Sequence, residues 1–202
     1  MIRNIIFDFG NVLLEWNEAK ISTSYSDNKE EQEILKNVIF KSAEWRKLDN
    51  GSLKYEEAIS IIKQNLPENL KNKVEEIMKT WYKNMPINKQ MVNLIKILKQ
   101  KNYKIYALSN THIPVYEYVK NSEIGQYFDG FLISAIEKMM KPNKDIYYRL
   151  FEKFNLVPGE CFFIDDSEKN IIASKNCGMD GYIFEFNNCD ALVEEMKEKN
   201  IL

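Results

Sequence analysis

Asp8, Ser109-Asn110, Lys141 and Asp165-Asp166 are the residues of this chain whose types and placement suit chemistry. Residues 5–7 are a short apolar run that reads as a buried strand, and Asp8 ends it just before a turn-prone Gly10-Asn11. A second apolar run, 104–108, ends at Ser109-Asn110, and a third, 161–164, ends at Asp165-Asp166. Lys141 lies in the loop after a fourth, 131–134. Ligands of an open parallel sheet sit beyond the carboxyl ends of its strands, so such a sheet gathers all four positions at one edge. Clustered carboxylates call for a cation there, and hard oxygen donors select Mg²⁺. Ser109 and the backbone after it can donate to phosphoryl oxygens, and Lys141 supplies a positive point charge. Together these groups suit phosphoryl transfer, in which fixed charges stabilise the transferred group. Singly, each has a local reading: Asp8 caps a turn, Asp165-Asp166 caps a helix, Ser109 is a turn hydroxyl and Lys141 a solvated lysine. It is their convergence that argues for a site.

The elements that must position them fall into two blocks. Between residues 15 and 86 no convincing strand occurs. Residues 15–26 are polar and aromatic and read as a connector that contains Trp16. From Asn28 the spacing of Ile34, Leu35, Val38 and Ile39 is helical. Asn50-Gly51 marks a turn, 52–65 a second helix with Ala58, Ile59 and Ile62 on one face, and Pro67-Glu68 opens a third carrying Leu70, Val74, Ile77, Met78 and Trp81. After Pro86, helix and strand alternate. Helices are expected around Met91–Leu98 and over 113–121, 145–154, 168–177 and 191–199, with strands at 104–108, 131–134, 161–164 and 182–186 and a loop reaching Lys141-Pro142. This alternation predicts an α/β fold: a Rossmann-like parallel sheet with helices on both faces. The expected core domain is 1–14 together with 87–202, and 15–86 is an inserted helical cap subdomain.

Bulk properties narrow the function. The chain has 202 residues, 45% hydrophobic and 29% charged, which suits one globular domain with an insert. Its net charge of -2 and lack of a basic stripe leave no electrostatic footprint for nucleic acid. Asp8 interrupts the N-terminal apolar stretch too early for a signal peptide, and no apolar run approaches a membrane span. Cys161, Cys177 and Cys189 have no metal-ligand spacing and read as reduced thiols of a cytoplasmic protein. The expected partner is a small phosphorylated metabolite, with no nucleic acid or membrane, and the expected state is a monomer or weak homodimer.

Over essentially its full length the chain resembles the haloacid dehalogenase superfamily of hydrolases. The resemblance rests on Asp8-Phe9-Gly10-Asn11-Val12, Leu108-Ser109-Asn110-Thr111, Lys141-Pro142, and Ile164-Asp165-Asp166-Ser167 running on to Asn170, with the helical insert in the place of the family's cap. The Gly10-Asn11-Val12 and Asp-Asp forms look most like the bacterial glucose-1-phosphate phosphatase branch and the phosphatase domain of soluble epoxide hydrolases. The resemblance implies a nucleophilic Asp8 that forms an aspartyl-phosphate, and Mg²⁺ held by Asp8, the Gly10 carbonyl and Asp166. It implies Asp165 in support of the metal water or Lys141, Ser109 and Asn110 on the transferring phosphoryl group, and Lys141 balancing its charge.

One departure stands out. Phosphatases of the family mostly carry a second Asp two residues after the nucleophile, as acid for the leaving group and base for water; here that place is Gly10. Acid–base assistance is typically worth ~10²–10⁴ in rate. His112, the single histidine, closely follows the Ser109-Asn110 motif and is a candidate substitute, with a plain helix-start residue as its other reading. Trp16, Trp45, Arg46 and Trp81 lie in or beside the expected cap, where they either face a sugar ring or are plain structure, the tryptophans as cap core and Arg46 as a surface charge. The leading reading is an Mg²⁺-dependent phosphatase of a small metabolite, with sugar phosphates among the candidates. The alternatives are a metal-independent 2-haloacid dehalogenase, a phospho-accepting receiver, and a catalytically weak phospho-ligand-binding protein.

Overall fold

A computed structural model describes all residues from Met1 to Leu202. The chain enters through β1 (Asn4–Phe7) and then runs through a helical block: α1 (Glu18–Thr23), α2 (Lys29–Leu35), a π-helical segment (Lys36–Phe40), α3 (Ala43–Asp49), α4 (Tyr55–Gln64), α5 (Glu68–Lys71), α6 (Val74–Thr80) and a 3₁₀ turn (Trp81–Asn84). Alternation follows: α7 (Lys89–Gln100), β2 (Lys104–Ser109), α8 (Ile113–Lys120), β3 (Gly130–Ile133), α9 (Ser134–Glu137), α10 (Lys144–Phe154), β4 (Cys161–Asp165), α11 (Glu168–Asn176), β5 (Asp180–Ile183) and α12 (Cys189–Glu198). The five strands form one all-parallel sheet in the order β3-β2-β1-β4-β5. The α/β sheet with a helical insert is therefore as expected.

Several element boundaries differ. Residues 15–26 are not a plain connector: the Asn17 side chain accepts from the Lys20 N–H and starts α1. The helix that begins after Asn28 breaks at Ser42, whose hydroxyl accepts from Trp45 N–H and starts α3. The helix expected from Ser52 begins only at Tyr55, and the one opened at Pro67 is three pieces. The last strand lies at Asp180–Ile183 instead of 182–186, because its register is set by β4, where Phe162 pairs with Asp180 and Asp165 with Ile183.

Burial explains the layering. Strand side chains alternate between faces. Ile5, Phe7, Ile105, Ala107, Phe162 and Ile164 face one cluster of 39 buried residues, shared with α7, α12 and the helical insert. Ile6, Tyr106, Leu108, Leu132 and Phe163 face a second cluster of 13, covered by α10 and α11. The insert thus has no separate core. Trp45, Trp81, Ile62 and Leu70 belong to the same apolar body as the centre of the sheet.

The register also sets the site. Phe7 pairs with Ala107 on β2 and with Ile164 on β4. One residue on, Asp8, Leu108 and Asp165 therefore stand level on three adjacent strands.

Candidate active site

Lys141 reads that row of three. Its Nζ lies 2.9 Å from Asp8 Oδ1 and 2.6 Å from Asp165 Oδ2, and donates to the Leu108 carbonyl at 2.9 Å. Lys141 is 4% exposed and the three donors of its ammonium are all engaged. Asn110 holds the lysine's backbone from both sides, accepting from the Lys141 N–H and donating to its carbonyl, each at 2.9 Å. The Asn110 side chain is thereby committed, and its backbone N–H makes no hydrogen bond within the protein.

Asp165 is fully buried and saturated. Oδ1 accepts from Ser167 N–H at 2.8 Å and from Asn170 Nδ2 at 2.9 Å, and Oδ2 receives Lys141. The Tyr147 hydroxyl donates to the Asn170 carbonyl at 2.9 Å and fixes it in turn. One ammonium thus serves two carboxylates and sits nearer to Asp165. Burial pushes Asp8 up to about 7; Lys141 pulls it down, and the charge of Asp165 pushes it up again. Burial works against the Lys141 charge, but Asp165 and Asp8 outweigh it and hold the ammonium above its ordinary range. With both carboxylates ionised, the row is therefore one positive charge short.

A cation fits that deficit. Ligand oxygens of Asp8, Asp165 and Asp166 all lie within 4.8 Å of one another. With Asp165 saturated, the oxygens left for a metal belong to Asp8 and the exposed Asp166, and the Gly10 carbonyl beside them takes no donor from the protein. Such a donor set is hard oxygen throughout, the kind Mg²⁺ prefers. Asn11 steers it: Nδ2 donates to Asp166 Oδ2 at 2.9 Å while Oδ1 accepts from Trp16 N–H at 3.1 Å. Its φ of 51° is left-handed, which asparagine tolerates better than most residues. The turn at Gly10-Asn11 is as expected from the sequence, whereas the bridging role of Asn11 has no signal there.

Above the carboxylates lies a cavity of about 310 Å³. Asp8, Gly10, Ser109, Asn110 and Asp166 form its floor. Trp16, Phe40, Trp45, Trp81, Met85 and Val115 form an apolar wall, and Glu18 and Asp49 are its acidic members on the cap side. The three tryptophans pack edge to face or tilted on one another, with centroids 4.6 to 5.8 Å apart. They are at once core and cavity wall. Arg46 is exposed on the outer side of α3 and is not part of the lining, and no lysine or arginine lines the cavity.

His112 is brought near but not onto the wall. It is 2% exposed, packed between Trp45, Tyr55 and Trp81, with Nδ1 2.7 Å from Asp49 Oδ1. Its Nε2 is buried without a partner. Asp49, which stands between the histidine and the cavity, was not singled out in the sequence; only its place at the end of α3, before Asn50-Gly51, marks it.

Residues 2–178 match the family model described as haloacid dehalogenase-like hydrolase. The chain belongs to that family. A sesquiterpene phosphatase from Aspergillus oryzae is 26% identical over 87% of this chain and 86% of its own. A D-ribitol-5-phosphate phosphatase from Bacteroides thetaiotaomicron is 23% identical over 90% and 91%. Among solved structures, a family enzyme from the same bacterium, held with magnesium and inorganic phosphate as an Asp-to-Ala mutant, superposes with a TM-score of 0.77. It is 23% identical over 93% of this chain and 96% of its own, a likeness of fold.

Proposed function

We propose that this haloacid dehalogenase-like hydrolase is an Mg²⁺-dependent phosphatase of a small phosphorylated metabolite, working through an aspartyl-phosphate on Asp8. The observation that carries this reading is the Asp8–Lys141–Asp165 row at the sheet edge, with Asp166 alongside. Asp8 is the nucleophile: Phe9 N–H and Lys141 both engage Oδ1, which fixes the carboxylate, and Ser109 stands beside it in the cavity lining. Asp8, Asp166 and the Gly10 carbonyl would hold Mg²⁺, with Asp165 behind them. When bound, the ion supplies Lewis-acid stabilisation of charge on the phosphoryl oxygens. Ser109 and the free N–H of Asn110 receive those oxygens. Lys141 contributes charge through Asp8, since its own donors are taken.

The wall describes the leaving group. Without a lysine or arginine in the lining, and with Glu18 and Asp49 in it, a second phosphate or a free carboxylate on the leaving group finds no partner. An uncharged group with apolar faces, such as a polyol, a sugar ring or a hydrocarbon, meets the tryptophans instead. The named relatives act on esters of both kinds by their descriptions, a sesquiterpene and ribitol. The same wall disfavours the haloacid reading, whose carboxylate needs a cation.

The test is a phosphate-release screen over sugar phosphates, polyol phosphates, prenyl phosphates and nucleotides, with Mg²⁺ and with a chelator. Uncharged-leaving-group monoesters should be hydrolysed, nucleoside di- and triphosphates should not, and Asp8→Asn should abolish release while the protein stays folded. Full turnover in exhaustive chelator, or by Asp8→Asn, overturns the reading.

A further inference from the structure

Family members mostly protonate the leaving group from a carboxylate two residues after the nucleophile, and this chain has Gly10 there. Another carboxylate lines the same cavity from the helical insert. Asp49 ends α3 and lines the same cavity as Asp8, Ser109 and Asp166, and its side chain makes one hydrogen bond, Oδ1 accepting from His112 Nδ1 at 2.7 Å. Its Oδ2 makes none within the protein. The backbone of Asp49 is fixed as well: its carbonyl accepts from the Ser134 hydroxyl, which also accepts from Thr111 N–H at 2.9 Å. Asp49 is therefore held through its backbone on Ser134 at the start of α9, and through its carboxylate on His112 in the loop after β2.

We infer that Asp49 is the acid–base residue of the reaction, standing in from the cap side for the carboxylate missing at Gly10, and that His112 positions it. The inference rests on the phosphatase reading. In the first step an Asp8 oxygen bonds to phosphorus, the bond from phosphorus to the leaving oxygen breaks, and the proton of Asp49 passes to that oxygen. In the second, water enters the place vacated by the leaving group and bonds to phosphorus. Its proton passes to Asp49, and the bond between Asp8 and phosphorus breaks. Both aspartates regain their starting state, and one ester and one water become one alcohol and phosphate.

Two features suit the pair to this task. Burial raises the Asp49 carboxyl, against the lowering effect of His112, so a proton is retained there more readily than on a solvated aspartate. His112 is enclosed by Trp45, Tyr55 and Trp81 and cannot turn away, so it fixes which Asp49 oxygen faces the cavity. Glu18 is the other cap-side acid of the lining, but it lies in the first turn of the short α1 and, unlike Asp49, has no side-chain partner to fix its carboxylate.

The decisive variant is Asp49→Asn, which keeps the size and the acceptor for His112 but cannot carry the proton. With an alkyl ester, turnover should fall on the order of 10²–10⁴-fold, without a burst. With p-nitrophenyl phosphate, whose leaving group needs no proton, the first step survives and the second does not. One equivalent of nitrophenol should therefore appear in a burst before slow turnover. Asp49→Ala should show the same pattern, and added formate should restore its alkyl-ester turnover. For the positioning role, His112→Asn, whose amide can replace Nδ1, should recover most of the kcat lost in His112→Leu with KM little changed. Equal loss on alkyl and aryl esters without a burst, or no rescue by formate in a folded Asp49→Ala, overturns the inference. If the wild type releases no phosphate from any ester, or Asp8→Asn stays active, it is the phosphatase reading that has failed instead.

Discussion

Asp165 and Asp166 are neighbours in sequence with opposite fates, and substitution should separate them. Asp165 is buried and binds Lys141, Asn170 and the Ser167 N–H. Asp165→Ala leaves a buried ammonium with one carboxylate and should destabilise the protein by about 3–5 kcal/mol, the usual cost of breaking a buried pair. Asp166 is exposed and held only by Asn11. Asp166→Ala should leave the melting temperature nearly unchanged and raise the Mg²⁺ concentration needed for half-maximal activity. Thermal melts and Mg²⁺ titrations of both variants check the pair; equal melting temperatures would contradict it. Gly10 bears on the same question. A Cβ there meets only Trp16 Cβ, at 3.8 Å, and its φ is not left-handed, so Gly10→Asp is sterically admissible. Placed in the Asp49→Asn background, it should restore alkyl-ester turnover by at least tenfold, read from a leaving-group series. At this scale the sequence was informative where a residue ends a strand: Asp8, Ser109 and Asp165-Asp166 needed only short continuous apolar runs to be found. Asp49 and the bridging role of Asn11 were not legible, because each depends on a partner far along the chain, His112 and Asp166.

Among the elements, the junction between α3 and α9 fixes how the insert meets the sheet. Gly51 follows α3 with φ +69°, and a Cβ there would lie 2.2 Å from the Ala135 carbonyl oxygen. Only glycine allows that approach. Gly51→Ala adds a left-handed penalty of about 1–2 kcal/mol and must also push α3 off α9. The expected result is a loss of stability together with a rise in KM, since Asp49 and Trp45 both ride on α3; urea melts and steady-state kinetics test it, and an unchanged KM would count against the junction. α9 itself was read as loop, and α1 as connector. Both are short, at 4 and 6 residues, and too brief for apolar periodicity to register. The longer α7 and α10, by contrast, bury four or more side chains on one face and were legible within a residue or two.

For the molecule as a whole, the parallel sheet is closed by two unequal apolar bodies, and the larger is continuous with the insert. Calorimetry should accordingly show one unfolding transition, with insert and sheet melting together. Trp81→Ala, at 2% exposure in the shared body, should lower stability by about 3–5 kcal/mol without splitting it in two. Two resolved transitions would contradict a common core. Sequence patterning could not reveal this continuity, because helical spacing states that a face is buried and not against what. A consequence follows for how such a protein changes its diet. Trp45 and Trp81 face the cavity on one side and the interior on the other, so a new substrate preference gained there is drawn from the same reserve that keeps the chain folded. Lineages that broaden or shift their choice of ester should therefore carry compensating substitutions in the second apolar body, under α10 and α11, where side chains such as Ile6, Leu132 and Leu150 are free to improve packing without touching what the enzyme accepts.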